Sequence, residues 1–321
     1  MSTPTFPVAP LDDRPELLRR ALAEFRAGDV SATAVAALSD LDRTERRALT
    51  PVWAEMPEDR REAVLRWVHQ LTEDRVELTF GRLLRLAITD RSASVRQLAL
   101  GALWEDGGTD LVAPLVAMVR DDESQDVRAE AAALLGRFID RLVMEPDLAV
   151  DPEEIREALI KPVRDLAEAP LVRRRALEAV SGFGADEEIA DLIDEFYNEG
   201  DSALVAGAIR SMGRTLDSRY LATVLAETTS EDAEYRYEAA QAAGEIGDER
   251  AIPEVIALLE DEDPEVCTAA VTALGRIGGA NVANALRLAL GRAESDEERE
   301  ALSTALEEAM LTVDPLEASP A

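Results

Sequence analysis

The side chains that most often carry catalysis are scarce in this sequence. Its one histidine, His69, is followed by Gln70, and its one cysteine is Cys267. A tetrahedral zinc site needs four such ligands, so this pair cannot supply one. Ser-His-Asp chemistry would have to recruit His69, and no Gly-x-Ser-x-Gly turn is present. The phosphate-binding Gly-x-x-x-x-Gly-Lys-Ser/Thr loop is missing too, since the only lysine, Lys161, follows Ile160. Carboxylates are plentiful, with 66 Asp and Glu against 34 Lys and Arg and a net charge of -32. Their clusters are Asp121-Asp122-Glu123, Asp186-Glu187-Glu188, Glu260-Asp261-Glu262-Asp263 and Asp296-Glu297-Glu298. None has the spacing and central glycine of a calcium loop, and acids at turns and helix starts favour the helix dipole without any ligand. No catalytic residue, cofactor or metal is therefore expected. A chain this acidic repels phosphate backbones, and no basic stripe runs along it, which argues against a nucleic-acid partner.

The elements that hold these residues follow from the apolar pattern. Hydrophobic residues make up 47% and aromatics only 4%, a balance carried by Ala, Leu and Val that suits closely packed helices. Anchors at Val95, Val127, Val172, Leu204, Tyr235 and Val266 recur at spacings of 32, 45, 32, 31 and 31 residues. Four residues after each stands an alanine: Ala99, Ala131, Ala176, Ala208, Ala239 and Ala270. Eight residues after each stands an apolar residue: Leu103, Leu135, Val180, Met212, Ala243 and Leu274. Offsets of zero, four and eight mark one face of a helix, and an alanine column lets successive helices approach closely. Glycines at Gly107, Gly184, Gly247 and Gly278 close these helices, where a left-handed residue is expected. A second helix follows, marked by Val112, Ile189, Leu221 and Ile252 and, three residues on, by Leu115, Leu192, Val224, Val255 and Leu286. The spacing of 45 holds an insertion near Arg141 to Pro152. Before the first anchor, helices are expected over Arg14–Ala27, Ser31–Leu41, Thr44–Met56, Pro57–Leu71 and Arg75–Thr89. Counting back 32 residues from Val95 reaches Ala63, whose alanine-column position is Trp67.

Each unit is thus a helix pair unable to bury its apolar faces alone. The expected fold is all-α, a right-handed α-solenoid of stacked antiparallel helix pairs. Residues 1–12 and 313–321 are expected to be disordered, 13–90 to form divergent helical repeats, 91–296 regular repeats and 297–312 a capping helix. A single cysteine, and a start without a basic and then apolar leader, fit a cytoplasmic chain.

The runs Asp263-Pro264-Glu265-Val266 and Ala273-Leu274-Gly275-Arg276-Ile277-Gly278 carry a resemblance. So does Ala242-Ala243-Gly244-Glu245-Ile246-Gly247-Asp248 before Ile252-Pro253. They resemble HEAT-like repeats of the phycobilin-lyase type, over about residues 90–296. The family's arginine after the anchor stands at Arg96, Arg128, Arg173 and Arg236 but is replaced by Val205 and Cys267, and reads as an internal ladder to acidic turns. Deoxyhypusine hydroxylases share this architecture and bind two irons through His-Glu pairs, which this chain lacks. The resemblance implies that the second helices line a concave face. Its polar positions are Asp191, Asp194, Arg219, Thr223, Arg250, Glu254, Asn281 and Asn284. The expected function is a non-catalytic scaffold that binds a protein with a basic segment there. The alternatives are an enzyme subunit of chromophore-lyase type and a helical-repeat DNA-repair protein. No membrane-spanning run is present.

Overall fold

A computed structural model describes residues 14–293 and 295–311, and all regular structure among them is helical. The expected disordered termini, 1–12 and 313–321, lie outside the described residues. In chain order the helices are α1 (Arg14–Ala27), α2 (Ala32–Ala36), α3 (Arg43–Glu55), α4 (Glu58–Asp74), α5 (Gly81–Ala87) and α6 (Ala93–Ala102). Next come α7 (Val112–Asp121), α8 (Gln125–Met144), α9 (Pro152–Arg164), α10 (Pro170–Val180), α11 (Glu187–Asn198) and α12 (Ser202–Arg214). The last are α13 (Leu221–Glu227), α14 (Ala233–Ile246), α15 (Ile252–Ala257), α16 (Pro264–Ile277), α17 (Ala280–Leu290) and α18 (Asp296–Leu311). The chain divides into two compact units, residues 1–134 and 135–321, with the division inside α8.

The acidic turns start these helices. Asp42, Asp151, Asp186, Asp201, Asp232 and Asp263 each accept a backbone N–H of the first turn that has no partner within the helix. At the other end, Gly247 adopts the expected left-handed conformation at φ 69° and ψ 20°. Gly184 and Gly278 also have positive φ, but Gly107 does not, which corrects the expectation for that turn.

Within each unit the helices alternate between two rows. In the first, α2, α4 and α6 stack in one row and α1, α3 and α5 in the other. In the second, α10, α12, α14, α16 and α18 stack successively, with α11 and α13 laid against α12 and α14. All six column alanines are fully buried, as are Val95, Val172 and Val266 of the anchors. The even helices, however, come closest elsewhere. Nine residues after the anchors of α12, α14 and α16 stand Gly213, Gly244 and Gly275, facing Ala242, Ala273 and Ala305 of the next even helix. A Cβ on Gly244 would lie 2.6 Å from the Ala273 Cα, and one on Gly275 would lie 3.1 Å from the Ala305 Cα. Because the obstacle is backbone, it cannot swing aside.

Gly244→Ala is therefore expected to lower stability. Its helix-propensity gain of about 1 kcal/mol is outweighed by overpacking of about 1–3 kcal/mol. Gly101→Ala, at an α6 position with nothing within 4 Å, should instead keep that gain. Urea unfolding of the two variants should move in opposite directions; equal shifts would show that the glycine contact is slack.

The first unit departs from the expected register by one residue. Ala63 and Trp67 are only half-buried, whereas Val64, Leu65, Val68 and Leu71 are buried with Arg61. Val64 is thus the anchor, and Val68 rather than Trp67 occupies the alanine column. Two expected helices are also shorter. The one expected from Ser31 ends at Ala36, because the chain turns at Asp40, whose φ is 48° and whose N–H donates to the Thr79 carbonyl at 2.6 Å. That same strand-like tie holds the segment preceding Gly81, where α5 begins.

Candidate functional site

The eight expected surface residues fall on or just before odd helices of residues 135–321. Asp191 and Asp194 are exposed on α11, and the charge of Asp194 reaches both Arg219 and Tyr220. Arg219 precedes α13, Thr223 is half-buried on α13, Arg250 precedes α15, and Asn281 and Asn284 are exposed on α17. Glu254 on α15 is half-buried, with Oε2 shielded from solvent and unpaired. The structure thus gathers Asp191, Asp194 and Arg219, while the others follow at repeat spacing along the row.

The two arginines are less available than their exposure suggests. Arg219 pairs with Asp217 at 2.6 Å and also donates to the Ala185 carbonyl at 3.0 Å. Arg250 pairs with Asp248 at 2.6 Å, and this hydrogen bond holds the Asp248 carboxyl down at about 2. The signal was legible: Asp-x-Arg recurs after 31 residues at Asp217/Arg219 and Asp248/Arg250. With Arg219 and Arg250 tied to their own turns, the α11–α13 part of the row is acidic in effect, while Arg287 of α17 donates to Asn284 at 3.0 Å.

Within residues 135–321 the even helices approach one another closely at Gly213, Gly244 and Gly275.

The arginines after the anchors are committed internally. Arg96 grips Asp122 at 2.7 and 2.8 Å, Arg236 grips Asp261 at 2.7 and 2.8 Å, and Arg173 grips Glu199 at 2.9 and 3.2 Å. Hydrogen bonding from Arg236 holds the Asp261 carboxyl below the usual carboxylate range. Arg96, Arg128 and Arg236 each also donate to the carbonyl six residues earlier. Cys267 makes the corresponding bond, its Sγ lying 3.2 Å from the Asp261 carbonyl oxygen. Burial pushes this thiol up, away from the thiolate a nucleophile needs. His69 is exposed on α4, with its Nε2 3.4 Å from Glu73.

The even row of the same unit carries an ion-pair system that the sequence did not reveal. Arg174 of α10 binds Glu178 on its own helix at 2.7 Å, then passes across Gly207 of α12 to Glu234 and Glu238 of α14 at 2.6 and 2.8 Å. Arg214 of α12 reaches Asp140 of α8 at 2.6 Å over Gly182. In each case a glycine leaves the path open for an arginine to skip one helix of the row. Among the described residues, no group of three or more His, Cys, Asp and Glu side chains is placed to hold a metal. No described helix is long and apolar enough to cross a membrane.

Comparison with curated proteins returns no match. Among solved structures, yeast importin-beta is similar at 13% identity and a TM-score of 0.51, over 95% of this chain and 47% of its own length. An engineered protein is similar at 17% identity and a TM-score of 0.39, over 94% of this chain and 92% of its own. Human deoxyhypusine hydroxylase is similar at 17% identity and a TM-score of 0.33, over 76% of this chain and 98% of its own. The chain thus spans less than half of importin-beta, and at such identity the likeness shows the fold alone. Residues 221–307, from α13 into α18, match the family described as HEAT repeats. Paired helices and buried alanine columns agree with this match, which covers residues 221–307, and the fold is of the HEAT-like helical-repeat kind.

Proposed function

We propose that the chain is a non-catalytic scaffold whose acidic odd-helix row in residues 135–321 docks a protein with a cationic segment. The observation that carries the reading is the uneven charge. Residues 135–321 hold 42 acidic and 17 basic side chains, against 24 and 17 in residues 1–134. Arg219 and Arg250 of the row are paired with Asp217 and Asp248, while Asp191 and Asp194 face outward on α11. Elongated repeat surfaces serve binding in many proteins, which adds support. The motifs around Val266 support repeats of the phycobilin-lyase type, and the acid excess argues against nucleic acid. The single cysteine suits the cytoplasm.

The test begins with proteins that co-purify with the tagged chain from its own cells. A partner so found is purified, and its binding is measured at low and high salt. Asp191→Lys with Asp194→Lys is expected to slow association and flatten the salt dependence, since screening shortens from ~10 Å at 0.1 M to ~3 Å at 1 M. Unchanged association and salt dependence would move the contact away from this row. Glu254 is left intact because a buried oxygen makes its reversal a packing change.

A further inference from the structure

We propose that residues 1–134 carry an oxyanion-binding cleft lined by Arg43, Arg46 and Arg82, suited to a compact phosphoryl group such as pyrophosphate. Adjacent odd helices each contribute two arginines three residues apart, hence on one helix face: Arg43 and Arg46 from α3, Arg82 and Arg85 from α5. All four line one open cleft of about 520 Å³, together with Asp40, Asp106 and Asp110. No basic stripe is visible along the sequence because the two pairs lie 36 or more residues apart and meet only through the packing of α3 on α5.

The charges of this cleft do not cancel locally. Arg85 takes both Asp106 and Asp110, each at 2.6 Å. The acids beside Arg43 are also engaged, for Glu45 pairs with Arg14 at 3.1 Å and Asp42 caps α3. Arg82 donates to the Leu41 carbonyl at 2.6 Å, a bond that orients the guanidinium and leaves its charge uncompensated. Among the described residues no ion pair engages Arg43 or Arg46, and Asp40 is the one lining carboxylate without a cation. The cleft thus brings together three arginines without acid partners, in a chain with 66 acids for 34 bases.

The shape of the donor set favours phosphoryl over carboxylate. Guanidinium forks bind either group in bidentate fashion. A planar carboxylate presents two oxygens in one plane, whereas a tetrahedral phosphoryl group presents oxygens toward both walls. The cleft has room for two linked phosphoryl groups. The repulsive charge elsewhere on the chain is screened beyond ~8–10 Å, so contact at the cleft decides binding.

Calorimetric titration of the full chain with pyrophosphate at fixed ionic strength tests this assignment. Saturable binding of one pyrophosphate per chain is expected. Arg43→Ala and Arg46→Ala should each weaken it by about tenfold or more, as loss of a charge-assisted bond does. Asp40→Asn should tighten it. Arg47→Ala, on the same helix but outside the cleft lining, should leave affinity unchanged. All these side chains are exposed, so melting curves should match the wild type. Absence of saturable binding, an equal loss in Arg47→Ala, or tighter binding of citrate than of pyrophosphate would overturn the assignment.

Discussion

Replacing Asp90 by leucine is expected to remove about 3–5 kcal/mol of stability, the usual cost of leaving one partner of a buried ion pair alone. Asp90 lies between α5 and α6, and its Oδ2 is 3.0 Å from the Arg61 Nε of α4. Arg61 is 1% exposed, so its guanidinium has no water to turn to. It also donates to the Met56 carbonyl, which holds it in place. The same carboxylate accepts from the Trp53 Nε1 at 2.7 Å and from the Ser92 backbone N–H at 2.9 Å. One substitution thus strands a charge and two neutral donors. Arg61→Met combined with Asp90→Leu should be less destabilised than Asp90→Leu alone, because no buried charge remains. Urea unfolding followed by tryptophan fluorescence reads both the midpoint and the surroundings of Trp53. An Asp90→Leu midpoint within error of the wild type would show that water reaches the pair.

Glu238→Gln is expected to be more stable than the wild type at pH 8 and equal to it near pH 4. Burial pushes the Glu238 carboxyl up to about 7; the like charge of Glu178 adds to this, and Arg174 and Arg210 oppose it. The nearest cation is shared, for Arg174 pairs with Glu178, Glu234 and Glu238 together. Because the folded value lies above the ordinary 4.5, the folded state holds the proton more tightly than the unfolded chain. Below about 4.5 both states are protonated and nothing is lost. Between about 4.5 and 7 the unfolded state ionises first, so stability falls as pH rises, by roughly 3 kcal/mol in all. Above about 7 the loss is complete. Glutamine keeps the site neutral throughout and should escape that decline, despite a weaker bond to Arg174. Urea midpoints of both proteins at the two pH values check this. A wild type that matches or exceeds the variant at pH 8 would mean that Arg174 holds Glu238 ionised without penalty.

The legible parts of this fold are those written in short-range periodicity. The alanine and apolar columns lie within one helix each, so a period of 3.6 displays them, and α1 begins and ends where its pattern does. The acidic turns were also readable, as caps and as partners of the ladder arginines. Glycine nine residues after the anchor recurs at Gly213, Gly244 and Gly275, yet its meaning depends on an alanine 29 or 30 residues on. The Arg174 pairs with Glu234 and Glu238 span 60 and 64 residues, beyond any helical pattern. Arg61 was hidden for a different reason. A charged residue in an amphipathic helix reads as solvent-facing, and only its seat beside Asp90 makes it part of the core. Of the surface residues, placement on the second helices was legible, and the recurring Asp-x-Arg spacing carried the pairing of Arg219 and Arg250 with their own turns, where the same aspartates also accept the arginine backbone N–H.

The arginines that skip a helix also alter how strain travels through residues 135–321. A stack in which each helix touches only its neighbours behaves like a row of hinged plates, each joint yielding without regard to the next but one. Arg174 ties α10 to α14 across α12, and Arg214 ties α12 to α8 across the α10 end, so each tie spans two joints. Opening either joint lengthens the tie and loads the other, as diagonal bracing does in a truss. Bending in this segment is thereby spread over several repeats, and its stiffness is written in arginine length and glycine position as much as in the apolar core.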